Sequence, residues 1–364
     1  GNYSESLSSE ITLDTRAAEL LLTVSPTAFN PAGSDKSKAS VKFSPVAKGA
    51  DVNKYSIEIK NEKNETVWTS SGSSLPASIS WNGLDSNGSR CDDGKYSALL
   101  STETSNGKNP KTSSQKFVLD TVAPTVKLSS PYTLFSPDGD GKKDLIKITA
   151  ETSNEDKWTG TVQDSSGRVV KTYTWQGTVP SFDWDGTDDA GNKVADGTYK
   201  LVFASEDAAG NKASAEVGNV TLDSREVKAF VSTQLDAFSP NADGFKDTEQ
   251  FTIRTTVNDG IESWKFEIAS ADGNVVRSWS NADSPNVPAT VTWDGLGGDG
   301  KVAEGVFVSK LNIVYAKGNT VDVASSSFIC SITPPQLSVK TATETGSGYF
   351  SPDNDGEDDD LFIQ

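Results

Sequence analysis

Apolar and polar residues alternate along most of this chain with the two-residue period of a strand that buries one face. The runs "YSIEIK" (55–60), "LIKITAET" (145–152) and "KFEIAS" (265–270) carry the pattern most clearly. No segment sustains the 3.6-residue period of an amphipathic helix. Turn dipeptides such as Asp196–Gly197, Gly210–Asn211 and Asp272–Gly273 end the runs. Over 125–227 the pattern predicts strands near 125–130, 144–152, 158–164, 168–175, 180–184, 197–206 and 213–222. Seven short strands in about a hundred residues, separated by turns, predict an immunoglobulin-like sandwich. Its third strand opens on an aromatic residue, Trp158, as do its counterparts at Tyr55 and Trp264.

The pattern repeats with a period near one hundred residues. Phe135, Phe238 and Phe350 open the acidic strings "FSPDGDGKKD", "FSPNADGFKD" and "FSPDNDGEDD", and Phe29 opens a degenerate version, "FNPAGSDKSK". Trp81, Trp184 and Trp293 each precede a polar turn: "WNGLDSNG", "WDGTDDAG" and "WDGLGGDG". Strands follow at "DGKYSALL", "DGTYKLVFASED" and "EGVFVSKLNIVY", then junctions at "FVLDTVAP", "VTLDSREV" and "FICSITPP". The organisation predicted is a preceding repeat's tail at 1–20, repeats at 21–124, 125–227 and 228–335, and the start of another at 336–364. "ITLDTRAAE" at 11–19 matches a closing junction, so the chain reads as a window on a longer array. The fold class is therefore all-β: tandem immunoglobulin-like or fibronectin-III-like sandwiches in an elongated array.

Composition narrows the function. Among 364 residues, 51 acidic against 33 basic side chains give a net charge of −18, which repels phosphate and argues against nucleic acid as a partner. No apolar run is long enough to span a membrane, and "AAELLLTV" at 17–24 lacks the length and basic flank of a signal peptide. Histidine is absent, which removes the usual general base and the commonest transition-metal ligand. Cys91 and Cys330 fall at non-equivalent positions and predict unpaired thiols. Acidic pairs such as Asp188–Asp189 sit in recurring turns rather than a concave pocket, so a non-catalytic protein is expected.

"WDGTDDAGNKVADGTYKLVFASEDAAGN" resembles the Ig-like repeat of the flagellar hook-cap family and its relatives in bacterial surface proteins. "FSPDGDGKKD" is similar to the opening motif of C-terminal domains in exported proteins of gliding motility and type IX secretion. "LDTVAPTV" is similar to linkers between bacterial Ig-like repeats. The resemblance implies the sandwich fold and an exported setting: extracellular, cell-surface or periplasmic. It implies a stalk, adhesive or assembly module. The alternatives are a module that binds other proteins, or cell-surface glycans through its loosely placed tryptophans, and an accessory region of a larger secreted enzyme.

The acidic string matches much of a calcium loop of the D-x-D-x-D-G type. Ser136, Asp138 and Asp140 take the first, third and fifth positions, with Gly141 at the turn, the Lys142 carbonyl at the seventh and Asp144 at the ninth. The following repeats offer Asn241, Asp243, the Phe245 carbonyl and Asp247, then Asp353, Asp355 and Asp359. The twelfth position is Lys147, Gln250 or Phe362, so the bidentate glutamate of a complete loop is missing. Alternating strand directions predict that the turn after Trp184 reaches the same end of the sandwich, which makes Asp185 and Asp188 candidate partners, with Asp294 and Asp299 their counterparts. In the first repeat Ala32, Ser34 and Lys38 replace ligands. Calcium binding and a chain of Asx-turns both fit these residues. Five tryptophans at recurring positions are expected in the core. Trp68, Trp175 and Trp279 are less regularly placed, and Trp175 and Trp279 are the candidates for stacking on a sugar ring.

Overall fold

A computed structural model describes residues 13–334 and 336–364 of the chain. Residues 1–12, which hold most of the expected tail at 1–20, lie outside the described residues. The rest divides into two compact units at Ser224–Arg225. The first unit contains two β-sandwiches, and the second contains a third sandwich and a C-terminal hairpin of Thr341–Thr343 with Leu361–Ile363.

The second sandwich shows the plan. Val126–Ser129, Ile146–Thr152 and Phe182–Trp184 form a three-stranded sheet. Leu134–Phe135, Lys212–Leu222, Gly197–Glu206, Glu155–Asp164 and Val169–Gly177 form the facing sheet, in that order. The seven expected strands are all present. The structure adds one feature: after Ser129 the chain crosses to the other sheet, where Leu134–Phe135 pairs in parallel with Thr221–Leu222. The same parallel step joins Ala28–Phe29 to Val118–Leu119 and Ala237–Phe238 to Ile329–Cys330. This switch links the two layers along one edge and brings the loop after the Phe to the end where the chain leaves the sandwich.

Alternation decides which side chains meet between the sheets. On Gly197–Glu206 the inward set is Tyr199, Leu201, Phe203 and Ser205. Trp81, Trp158, Trp184, Trp264 and Trp293 are all at most 2% exposed, as expected of the recurring set. Burial of each large apolar side chain contributes about 1.5–3 kcal/mol. Cys330 stands opposite Phe238 where Leu119 and Leu222 stand opposite Phe29 and Phe135. Its thiol is a core atom, with a pKa pushed up to about 11 by burial and the Glu304 charge. Cys91 is half-buried, and both cysteines are unpaired. Among the described residues no helix is long and apolar enough to cross a membrane.

At one core position a carboxyl replaces the apolar residue of the other repeats. Val41, Ile146 and Glu249 each pair with the tryptophan that ends the third strand of the small sheet, and each is fully buried. The Glu249 side chain serves the backbone beside it, where Oε1 accepts the N–H groups of Gln234 at 2.6 Å and Leu235 at 3.1 Å. Counting back from the shared Phe, Gln234 corresponds to Pro131, which has no N–H to satisfy. Gln234 N–H is shared with the Gln250 carbonyl at 3.0 Å, while Leu235 N–H relies on Glu249. Oε2 has no partner. Burial, aided by the Asp236 charge, raises this carboxyl above its ordinary 4.5.

Because the folded-state value lies above the unfolded one, the stability that Glu249 contributes is complete at acid pH. It is lost as pH rises from 4.5 through the raised value. Hydrogen exchange of the third sandwich in denaturant should therefore show a midpoint that falls over that interval. Glu249→Gln should flatten the dependence, because its amide oxygen still accepts both N–H groups. A slope unchanged by this substitution would assign the pH dependence elsewhere.

Candidate functional site

Each sandwich builds its exit end from two aromatic residues. Phe135 packs on Trp184 with centroids 5.4 Å apart, and the pairs Phe29–Trp81 and Phe238–Trp293 sit at 5.6 and 5.5 Å. Each Trp ring nitrogen donates to the carbonyl three residues on, at Leu84, Thr187 and Leu296, and so closes the polar turn. Gly186 lies inside that turn at φ +74°, where an added Cβ would come within 2.7 Å of Leu222 and 3.3 Å of Pro137. Gly83 meets Leu119 and Pro31 in the same way, and Gly295 meets Cys330 and Pro240. The "FSP" and "W-x-G" motifs are two halves of one interlock. Lys193 Nζ, further along the polar turn, donates to the Pro137 carbonyl at 3.2 Å.

On this base the acidic loop folds into a fixed shape. Ser136 N–H donates to the Lys143 carbonyl at 3.0 Å, and the bonds Ser239 to Lys246 and Ser351 to Asp358 repeat it. Asp138 Oδ1 accepts from Asp140 N–H and Asp140 Oδ1 from Lys142 N–H, at 3.2 and 2.7 Å. Gly139, Gly141 and Lys143 are all left-handed, as are Ala242, Gly244 and Lys246, and Asn354, Gly356 and Asp358. Alternating left-handed residues turn backbone N–H groups into a concave nest that holds an anion. Here the anion is the loop's own: Asp144 accepts from Gly139 and Gly141 N–H at 2.6 and 2.8 Å. Asp247 and Asp359 are held identically.

The carboxylates gather where the spacing predicted. Asp138, Asp140 and Asp144 offer oxygens within 4.8 Å of one another, and so do Asp353, Asp355 and Asp359. Like charges about 4 Å apart repel by about 1 kcal/mol per pair in bulk water. The third repeat relieves this by substitution, since an amide replaces one carboxylate and Asn241 Nδ2 donates to Asp243 Oδ2 at 3.1 Å. Ser136 is fully buried, with its Oγ donating to Asp138 at 3.3 Å. Phe245, at the tip of the third loop, is exposed with Lys246 over its ring.

The turn after Trp184 does reach this end, but its carboxylates are engaged by their own turn and by the strand Val169–Gly177 beside it. Asp185 Oδ1 accepts from the Thr187 hydroxyl at 2.6 Å and lies 3.7 Å from Lys171 Nζ. Burial acts to raise Asp185, and these bonds outweigh it and hold it low. Asp188 caps Ala190 and Asn192, whose N–H bonds lower its pKa. Asp294 and Asp299 likewise accept from Leu296 and Lys301 N–H. Neither Asp185 nor Asp188 belongs to the 4.8 Å group. In the first repeat, Asn30 N–H donates to the Lys38 carbonyl. Lys38 therefore matches Lys143, one place earlier than counting suggests, and this loop is one residue longer.

The other aromatic candidates face inward as well. Trp175 stacks on Phe203 at 5.4 Å and Tyr173 at 5.6 Å, and Trp279 packs on Phe266 at 5.8 Å with Arg277 over it. Both are half-buried, as is Trp68.

Motif reading missed how the junctions are held. Thr121 N–H and hydroxyl donate to Asp93, Ser224 does the same to Asp196, and the hydroxyls of Ser331 and Thr333 donate to Glu304. The carbonyl one residue after the Thr or Ser is gripped by the next sandwich's turn between its last long strands. Lys108 Nζ reaches Arg16 O at 2.7 Å, Asn211 reaches Val122 O at 3.3 Å, and Lys317 reaches Arg225 O. The recurring acid before glycine in "DGKY", "DGTY" and "EGVF" was the available signal.

The family model for the FlgD Ig-like domain matches residues 31–106 and 137–209. Both stretches begin at the Pro after the opening Phe's neighbour and end in the gripping turn, and together they cover less than half of the chain. No curated protein matches. Among solved structures, the chain is similar to a tetra-tandem repeat in the extending region of a large adhesion protein, at 17% identity over 90% of this chain and 77% of that one, TM-score 0.30. It is similar to a Ca2+-stabilized adhesin that helps an Antarctic bacterium reach out and bind ice, at 19% over 85% and 73%, TM-score 0.30. It is also similar to fibronectin(III)-like modules of CbhA from Clostridium thermocellum, at 18% over 56% and 93%, TM-score 0.33.

Gly186→Ala should destabilise the second sandwich by about 2–4 kcal/mol, from the left-handed backbone and the overpacked Leu222 together. Gly191→Ala, at φ +83° with open space around it, should cost only about 1–2 kcal/mol. Urea midpoints for the two variants test the interlock, and equal losses would contradict it.

Proposed function

We propose that the chain is part of a non-catalytic, exported or cell-surface structural protein, in which tandem sandwiches act as a spacer or adhesive stalk. One observation carries this reading: three successive linkers have the same carbonyl gripped by the following sandwich's turn. Residues at both ends of each sandwich are committed to holding the chain between sandwiches.

The acidic loops add calcium to this reading. Ser136, Asp138, Asp140, the Lys142 carbonyl and Asp144 supply hard oxygen donors at the spacing a calcium ion takes. Asp353, Asp355 and Asp359 do the same in the last loop. Asn241, Asp243, the Phe245 carbonyl and Asp247 form a weaker version, because one carboxylate is replaced by an amide that already neutralises its neighbour. Asp185 and Asp188 contribute negative potential at the same end rather than ligands. The first loop takes no cation. Bound calcium would stiffen the exit end of each acidic repeat.

Calorimetric titration of the full chain with calcium should show two stronger sites and one weaker, with Kd in the ~10⁻⁴–10⁻³ M range of extracellular modules. Asp140→Asn and Asp355→Asn should each delete one stronger site, and both keep the Oδ1 that accepts the following N–H. Absence of heat, with a melting temperature indifferent to chelator, would overturn the calcium reading and leave the spacer reading standing.

A further inference from the structure

The tip of a β-hairpin is normally wet, yet Ala209, Gly210 and Asn211, in the tip between Gly197–Glu206 and Lys212–Leu222, are buried. Ala209 is 2% exposed and Asn211 7%. What covers the tip is the first sandwich's degenerate loop, whose Asn30 is also 7% exposed. Asn30 Nδ2 donates to Asn211 Oδ1 at 2.5 Å, across 181 residues of sequence. Asn211 Nδ2 donates to Asp207 Oδ2 at 2.8 Å, to Asp120 O at 3.1 Å and to Val122 O at 3.3 Å. Gly210 at φ +88° lies against Asp35 and Lys38, and a Cβ there would come within 3.0 Å of Lys38 Cδ. Lys38 Nζ pairs with Glu206 at 3.3 Å.

The network has a single consistent orientation. Main-chain carbonyls only accept, so the Asn211 nitrogen must face the linker and its oxygen must face Asn30. Asn30 Oδ1 accepts the Ala32 N–H at 2.8 Å, which turns the Asn30 nitrogen toward Asn211. Asn30 stands where Ser136 stands in the acidic loop and Lys38 where Lys143 stands, and Asn211 reaches Asn30 from the second sandwich.

We propose that this loop and hairpin tip form a direct lock, keyed by Asn30 and Asn211, which makes the first two sandwiches unfold as one body without any cation. The surface at 30–38 is a socket whose partner is the hairpin tip of the following repeat. The proposal does not depend on calcium binding by the acidic loops.

Hydrogen exchange of the full chain across a urea series tests it. Strands Val52–Lys60 and Gly94–Thr104 of the first sandwich should lose protection at the same urea concentration as Glu155–Asp164 and Gly197–Glu206 of the second. Asn30→Asp keeps the oxygen that serves Ala32, removes the donor and sets a carboxylate against Asn211. It should separate the two transitions and speed exchange at 207–211 by about tenfold. Asn211→Ala, made from the other side of the joint, should separate them too. Chelator should leave the two transitions of the wild type coincident. Independent opening in the wild type, a shared transition that survives both substitutions, or separation by chelator alone would each overturn the lock.

Discussion

The contact between the opening Phe and the turn-closing Trp is the constraint on which each sandwich depends. It joins the strand that switches sheets to the strand that ends the small sheet, so it seals the core at the exit end. The proline two residues after the Phe roofs the glycine two residues after the Trp, and no side chain fits between them. Both loops at that end inherit their positions from this packing, not from their own polar residues. Loop chemistry is therefore free to vary while the backbone stays put.

The two kinds of loop illustrate that freedom. In "FSPDGDGKKD" and its later counterparts, the ninth-position Asp fills a nest of N–H groups, and the remaining carboxylates crowd in front of it. In "FNPAGSDKSK" one extra residue and the loss of carboxylates produce a socket for a neighbour's hairpin. Both solutions satisfy the same backbone bond, from the residue after the Phe back across the loop. They differ in the side chains that the exit end carries.

Much of the fold was legible because it rests on short-range periodicity: strand positions, the buried set of five tryptophans, and the convergence of two loops at one end. The acidic cluster was legible from spacing alone. What escaped was set by three-dimensional partners. Nothing in "GDGKKD" says that Asp144 is already held by two N–H groups, and nothing in "WDGTDDAG" says that Asp185 and Asp188 cap their own turn. Glu249 looks like a surface residue until Gln234 and Leu235 are placed beside it. The one-residue insertion before Ala39 shows only through the bond from Asn30 to Lys38, since an unbroken count from Phe29 reads equally well. The junction grips were missed because their residue types differ, Lys108, Asn211 and Lys317, while the carbonyl they seize is the shared element.

An amide-based lock suits a chain with a net charge of −18. Asp120 and Asp207 approach each other at the joint, and burial together with the Asp207 charge raises the Asp120 carboxyl. A joint that relied on opposed carboxylates would loosen whenever counterions were scarce, because repulsion between exposed charges is governed by screening. Asn211 instead sets N–H donors between Asp207 and the Asp120 carbonyl, and it presents an oxygen only to another amide. The hydrogen bonds that define this joint involve groups without net charge, except at Asp207 and the Lys38–Glu206 pair. Their strength is largely insensitive to ionic strength and to pH near neutrality.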